Sequence, residues 1–259
     1  MIQIINTQII GRNIINAIRY LRGYYELSYY FIRNISALHI TPVRSVLYKQ
    51  IYFTGIEALG TIIVIGTLIG IVIITQVANI VGLNAPLTGK ILIWTVVREL
   101  GPLFAAIIII ARSSTAISSE LSSMKINREL DSLRTMGINP IDYLIVPRIV
   151  GVTVSVFILA FYFQVMAIAG GLVFTSIFWE TPFFQHLKGI FSTLNFFEVM
   201  VSMSKSLVFG LIISAVTCYQ GLSVHSSITE IPKAATKAVM QSLFLVLILD
   251  GVITFISFI

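Results

Sequence analysis

Five long apolar runs set the terms for this chain. They lie near residues 51–76, 91–115, 147–178, 200–222 and 240–258. A helix needs about 20 mainly apolar residues to cross the hydrocarbon of a bilayer, and each run is close to or above that length. The expected fold class is therefore an all-α integral membrane protein with about five transmembrane helices. Composition agrees: 11% of the 259 residues are charged, against about 25% in a soluble domain, too few to cover a water-facing surface. The run at 147–178 is long enough to tilt or to continue beyond the membrane.

The net charge of +6 does not point to nucleic acid, because the basic residues are scattered between apolar spans. Of the 17 Lys and Arg residues, thirteen fall in the first 50 residues and in the second-to-third and fourth-to-fifth connections with their margins. Lys90, Arg98, Lys188 and Lys205 fall on the other side. Positive residues stay on the cytoplasmic side, or the stromal side in an organelle. The N-terminus is thus expected inside and the C-terminus outside. A single cysteine, Cys218, excludes an internal disulfide and a cysteine-rich metal site. The opening MIQIINTQIIGRN lacks the basic start and small-residue cleavage site of a signal peptide.

Residues 1–50 divide from the membrane-spanning remainder at 51–259 as an amphipathic interfacial region. Ile10, Ile14, Ile18, Leu21 and Tyr25 share one helical face, with Arg12, Asn16, Arg19 and Gly23 on another, the pattern of a helix lying in the interface plane. Thr41 followed by Pro42 is expected to cap and start a second short helix.

Between the second and third spans stands SSELSSMKINRELDSLRTMGINP, residues 118–140, the most charged stretch outside the N-terminal region. Asn127 is placed to cap a short helix with Glu129 and Asp131 at its start, Arg134 at its end, and Gly137 and Pro140 to stop it. Ile126, Leu130 and Leu133 line one side, and a break is expected near Lys125. A mere connector needs only a few polar residues. A capped amphipathic helix on the cytoplasmic side suits docking into a groove on a soluble partner.

Charges inside spans face the bundle interior or a wet cavity, because lipid does not solvate them. The candidates are Glu57, Arg98, Glu99, Glu198, Lys205 and Asp250. Arg98 and Glu99 precede Gly101–Pro102, where a kink is expected. Adjacent helical residues point to different faces, so the two need not pair with each other. Asp250 either carries a proton or pairs with Lys205 of the preceding span. Gly55, Gly60, Gly66, Gly70, Gly170 and Gly171 are expected to allow close helix approach.

Several chemistries lack their residues. Gly89–Lys90 is followed by Ile91 and has no glycine five positions before it, so no phosphate-binding loop is present. His39, His186 and His225 are isolated, and no nucleophile–base set stands out. The chain is expected to be non-catalytic, and any uphill transport must draw on a partner.

Three segments resemble the MlaE-type permeases, the membrane subunits of ABC transporters that move lipids between membranes in bacteria and plastids. They are VRELGP (97–102), ARSSTAISSELSSMK (111–125) and RELDSLRTMGINPIDYLIVPR (128–148), joined by Gln50-Ile51-Tyr52, Gly55, Tyr219, Gly221 and Asp250. The resemblance covers roughly residues 45–259. Ala111, Ser114, Ser122 and Ser123 replace glycines or other small residues common in the family.

The resemblance implies a homodimer bound to two copies of a cytoplasmic or stromal ABC ATPase, which carries the ATP and magnesium while this chain binds no cofactor. It also implies an MCE-domain lipid-binding partner on the far side, and a bacterial inner membrane or plastid inner envelope location. The stretch near 120–137 becomes the coupling helix, with Glu120, Lys125, Arg128, Glu129, Leu130, Asp131, Leu133 and Arg134 as its contacts. Arg98, Glu99, Asp250 and Glu57 become candidates for the lipid path. A proton-coupled carrier or channel using Glu57, Glu99 and Asp250 is the alternative.

Overall fold

The computed structural model describes residues 22–24, 29, 33–34, 38–81, 85–178, 183–225 and 227–258. The expected interfacial helix over residues 10–25 lies outside them, apart from 22–24, which are helical. Among the described residues there is no strand, and five helical runs are long and apolar enough to span a membrane. The chain is a multi-pass, all-α membrane protein.

Helix α1 (Thr41–Thr54) carries Pro42 in its first turn, where the missing N–H costs nothing. Its cap residue is Ile40 rather than Thr41, because the Arg44 amide already bonds to the Ile40 carbonyl at 3.1 Å. The chain then tightens at Gly55 into a 3₁₀ turn, Ile56–Ala58, before α2 (Leu59–Val81). The uninterrupted apolarity from 51 onward conceals this joint. A Cβ at Gly55 would lie 2.8 Å from the Ile51 carbonyl, so the turn requires glycine.

The second span is one continuous rod with two widened sections. It comprises α3 (Ala85–Leu92), a π-helical stretch (Ile93–Leu100), α4 (Gly101–Ile109), a second π stretch (Ile110–Ser114) and α5 (Thr115–Ile126). It starts before the expected residue 91 because the chain is already helical from Ala85. The first π stretch ends directly at Gly101–Pro102. A proline ring clashes with the carbonyl four residues back and donates no hydrogen bond. The wider turn relieves that conflict without breaking the rod.

After Asn127 and Arg128 come α6 (Glu129–Thr135), a third π stretch (Ile141–Ile145) and α7 (Val146–Phe178). Helix α8 (Phe183–Thr193) packs on α3 at the end of the bundle away from α6, then α9 (Phe196–Leu222) and α10 (Glu230–Phe258) follow. Asn195 caps α9 by accepting from the Phe197 amide. Helix α10 begins ten residues before the expected 240. Hydropathy registers only its apolar length, while its polar start is held by Glu230 accepting from the His225 amide at 2.9 Å.

The core runs along α7, where Val156, Leu159, Phe163 and Ala167 are fully buried. Helices α2, α9, α1 and α4 pack around it. The α2–α7 seam is built on small residues. A Cβ at Gly70 would lie 1.9 Å from the Ala167 carbonyl oxygen, and one at Gly171 would lie 2.7 Å from that of Gly70. Close backbone contact of this kind is how helices associate where lipid removes the hydrophobic drive. Gly60 does not belong to the seam, since nothing stands within 4 Å of its Cβ position. Helices α2 and α10 leave an apolar face uncovered, with Val64, Leu68 and Val72 on one and Phe244, Leu247 and Phe255 on the other.

Candidate functional site

Spans two, four and five meet in a buried ionic cluster. Lys205 of α9 is fully buried. Its ammonium donates to Glu99 Oε2 at 2.5 Å, Asp250 Oδ1 at 2.9 Å and Thr254 Oγ1 at 2.7 Å. Three donors therefore meet three acceptors, which fills the capacity of a lysine. Thr254, one turn beyond Asp250 on α10, donates its own hydroxyl hydrogen bond to Glu99 Oε2 at 2.9 Å. On the far side of Glu99, Arg98 lies 3.5 Å from Glu99 Oε1 through Nε and 3.2 Å from Glu198 Oε2 through Nη1. Two cations and three carboxylates thus form one connected chain from the start of α9 to α10.

The π stretch explains why neighbouring Arg98 and Glu99 belong to one cluster. The widened turn changes the angle between successive side chains from that of an α-helix. Arg98 is drawn toward Glu198 and Glu99 toward Lys205. The cluster is not sealed. Lys205 is wholly covered, yet the side chain of Glu99 is 29% exposed and that of Asp250 16%. Both side chains reach the surface of the single chain beside the uncovered face of α10.

Of the four candidates for this site, the structure brings Arg98, Glu99 and Asp250 together. Glu57 stands apart in the 3₁₀ turn before α2, where it pairs with Arg112. Lys205 pairs with Asp250, one of the two alternatives the sequence left open. Glu198 was counted among the charges within spans but not assigned to this site, and Thr254 was not singled out. Thr254 left a usable signal, since a hydroxyl four residues after an intramembrane aspartate shares its helical face.

The second assembly is the charged hairpin where α5 gives way to α6. Helix α5 is fastened to the end of α9. Lys125 Nζ donates to the Leu222 carbonyl at 2.6 Å, Ser122 Oγ to that of Gly221 at 3.1 Å, and Thr217 Oγ1 to Ser114 Oγ at 3.1 Å. The serines that replace small residues at positions 114 and 122 thereby gain partners on α9. Asn127 closes α5 instead of capping α6. Its amide nitrogen reaches Ser123 Oγ and Glu129 Oε1, each at 3.4 Å, and so offers a donor where the α6 amides need an acceptor. Arg128 turns the corner with φ of 58°. Gly137, at φ of 76°, ends α6, with the Ile138 amide bonding back to Leu133 O at 3.0 Å.

The side chains of the hairpin divide by exposure. Leu130 is buried and Leu133 half-buried, while Arg128, Glu129, Asp131 and Arg134 are exposed. Met136 and Ile138 add exposed apolar surface at the tip that the sequence reading did not flag. Beneath α6, Lys125, Arg128, Asp131, Arg134 and His225 help to line a cavity of about 420 Å³. Glu120 belongs to another place, bonded to the buried Arg148 at 2.6 Å. Among the described residues, no group of three or more His, Cys, Asp or Glu side chains could hold a metal ion.

The chain is similar to known proteins over most of its length. It is 29% identical over 212 residues to a probable ABC transporter permease protein of Synechocystis, covering 81% of each chain. To a probable ABC transporter permease protein of Rickettsia typhi it is 28% identical over 225 residues, 83% of each. It is 27% identical over 209 residues to the chloroplastic protein trigalactosyldiacylglycerol 1 of Arabidopsis thaliana, covering 80% of this chain and 59% of that one. The family model described as Permease MlaE matches residues 47–256, and the chain belongs to that permease family.

Proposed function

We propose that this chain is the permease subunit of an ABC transporter that moves lipids between membranes, powered by a separate ATPase that docks on the α5–α6 hairpin. The observation that carries the reading is the partly exposed ionic cluster. A charged group at membrane depth does not rest against lipid tails. The exposed edges of Glu99 and Asp250 call for a second copy of the chain or a wet cavity beside α10, and a cavity between two copies supplies both. Arg98, Glu99 and Asp250 then line the polar part of the lipid path. The names of the relatives support the transporter assignment, and the galactolipid spelled out in the name of the Arabidopsis protein supports a lipid cargo.

The hairpin fits the second half of the proposal. Exposed Arg128, Glu129, Asp131 and Arg134, with the apolar tip at Met136, offer an ATPase groove mixed charge around a greasy contact. An MCE-domain partner belongs at the opposite end, by α8, with the N-terminus on the ATPase side. The carboxylate relay of a proton-coupled carrier has less support, because Glu57 is committed to Arg112 and shares no bond with the cluster.

The test is lipid transfer between two populations of proteoliposomes, one of them carrying the chain together with its ATPase. Transfer should require nucleotide and should fall with Asp250→Asn. Transfer that continues at the same rate without nucleotide would overturn the proposal in favour of a carrier.

A further inference from the structure

We propose that a cavity on the α6 side of the bundle, between α1, α5 and the start of α7, binds the phosphate headgroup of an anionic phospholipid, apart from any transport path. The cavity measures about 740 Å³ and is walled by Lys49, Tyr52, Phe53, Glu120, Tyr143 and Arg148, with Val46 and Leu144 supplying apolar wall.

Its central group is Arg148, which is 4% exposed. Nη2 is taken by Glu120 Oε1 at 2.6 Å. Nη1 is buried and, among the described residues, has no hydrogen-bond partner. A guanidinium presents five donors in a rigid fork suited to a bidentate oxyanion, and a buried donor left unmade is costly. Glu120 occupies one arm of that fork, and a turn of the guanidinium toward the cavity would offer the other to a phosphate oxygen. Lys49 brings a second positive charge, so the two cations and one carboxylate of the lining leave an excess of one positive charge. Tyr143 adds a hydroxyl.

The neighbouring surface argues for a lipid over a soluble anion or a protein partner. Tyr48, Tyr52 and Phe53 stand exposed on α1, and Arg44 lies 5.9 Å above the Tyr48 ring. Exposed tyrosines beside basic residues mark the headgroup level of a bilayer, and basic pockets between spans on the cytoplasmic side hold anionic headgroups. The apolar wall suits the glycerol and the first methylenes of the tails.

The experiment is native mass spectrometry of the full chain released from nanodiscs holding equal amounts of phosphatidylglycerol and phosphatidylcholine. The parent should retain phosphatidylglycerol preferentially. Arg148→Gln should lower that retention about tenfold, and Lys49→Gln roughly fivefold. Lys49→Gln, which lies outside the proposed transport path, should leave nucleotide-driven lipid transfer unchanged, so failure here is separable from failure of the transport reading. Equal retention by the parent and both variants overturns the proposal, and so does equal retention of the two lipids. Displacement by millimolar inorganic phosphate would assign the site to free phosphate, and loss of the lipid when the ATPase is added would assign it to a protein interface. Either outcome overturns the lipid assignment. If Arg148→Gln fails to fold for want of a partner to Glu120, the exposed Lys49 variant decides alone.

Discussion

Lys205 and Arg134 carry the same charge and are treated oppositely by the fold. Lys205 is fully buried and is held by Glu99, Asp250 and Thr254, which lie 106, 45 and 49 residues away along the chain. Arg134 is two-thirds exposed, and its ion-pair partner is Asp131, three residues back at 3.4 Å. The first arrangement exists because lipid cannot solvate an ammonium, so partners must be gathered from separate spans. The second exists in water, where neighbours on a helix meet at little gain. Burial makes a charge architectural, and exposure leaves it free for recognition.

The contrast can be broken most severely at its buried pole. Lys205→Met strands two carboxylates at membrane depth and should cost about 3–5 kcal/mol. In detergent this should appear as loss of the monodisperse species on size exclusion and a lower unfolding temperature. A parent-like profile would mean that water already reaches the cluster. The triple variant Lys205→Met, Glu99→Gln, Asp250→Asn removes all three charges together and should recover most of that stability. It should not recover lipid transfer. Thr254→Val comes next, with an expected loss of about 1 kcal/mol from the missing hydroxyl bonds, read as a modest fall in unfolding temperature.

At the exposed pole the same measurements should hardly move. Arg134→Gln should stay within about 0.5 kcal/mol of the parent. Arg134→Glu should be as stable, yet weaken co-purification of the ATPase and slow nucleotide-driven lipid transfer. A stability loss comparable to that of Lys205→Met would erase the distinction between the two regions.

The spans were legible because twenty apolar residues leave a helix little choice, and α7 falls almost where hydropathy placed it. Their ends were not. Helix α10 begins at Glu230 and α3 at Ala85 because helices continue into water, where composition no longer reports on them. The break at Gly55 was hidden for the opposite reason, with apolar residues on both sides.

Within the candidate site, the Lys205–Asp250 pair could be guessed, since Lys205 is the cation of the neighbouring span. The turn of Glu99 toward Lys205 could not, because it depends on a π stretch whose angular change no α-helical wheel reproduces. Glu198 was counted among the charges within spans but not tied to the cluster, though a carboxylate just after a capped helix start is well placed to meet an arginine near the start of a parallel neighbour. The hairpin was legible as a short charged helix stopped by Gly137. Its fastening through backbone carbonyls of α9 was not, because carbonyls leave no trace in a sequence.

The distribution of the cluster over three spans also bears on how the chain is made. Glu99 emerges from the ribosome first, Lys205 about a hundred residues later, and Asp250 and Thr254 last. Within α2, Thr67 and Thr75 satisfy their hydroxyls locally, bonding back to Ile63 and Ile71 of their own helix. Lys205 has no such local refuge. Until the final span is inserted it holds one of its two carboxylates, and a product cut short before residue 250 never acquires the other. Completion of synthesis is thereby written into the electrostatics of the membrane, and an unfinished chain announces itself to quality control as an unbalanced charge.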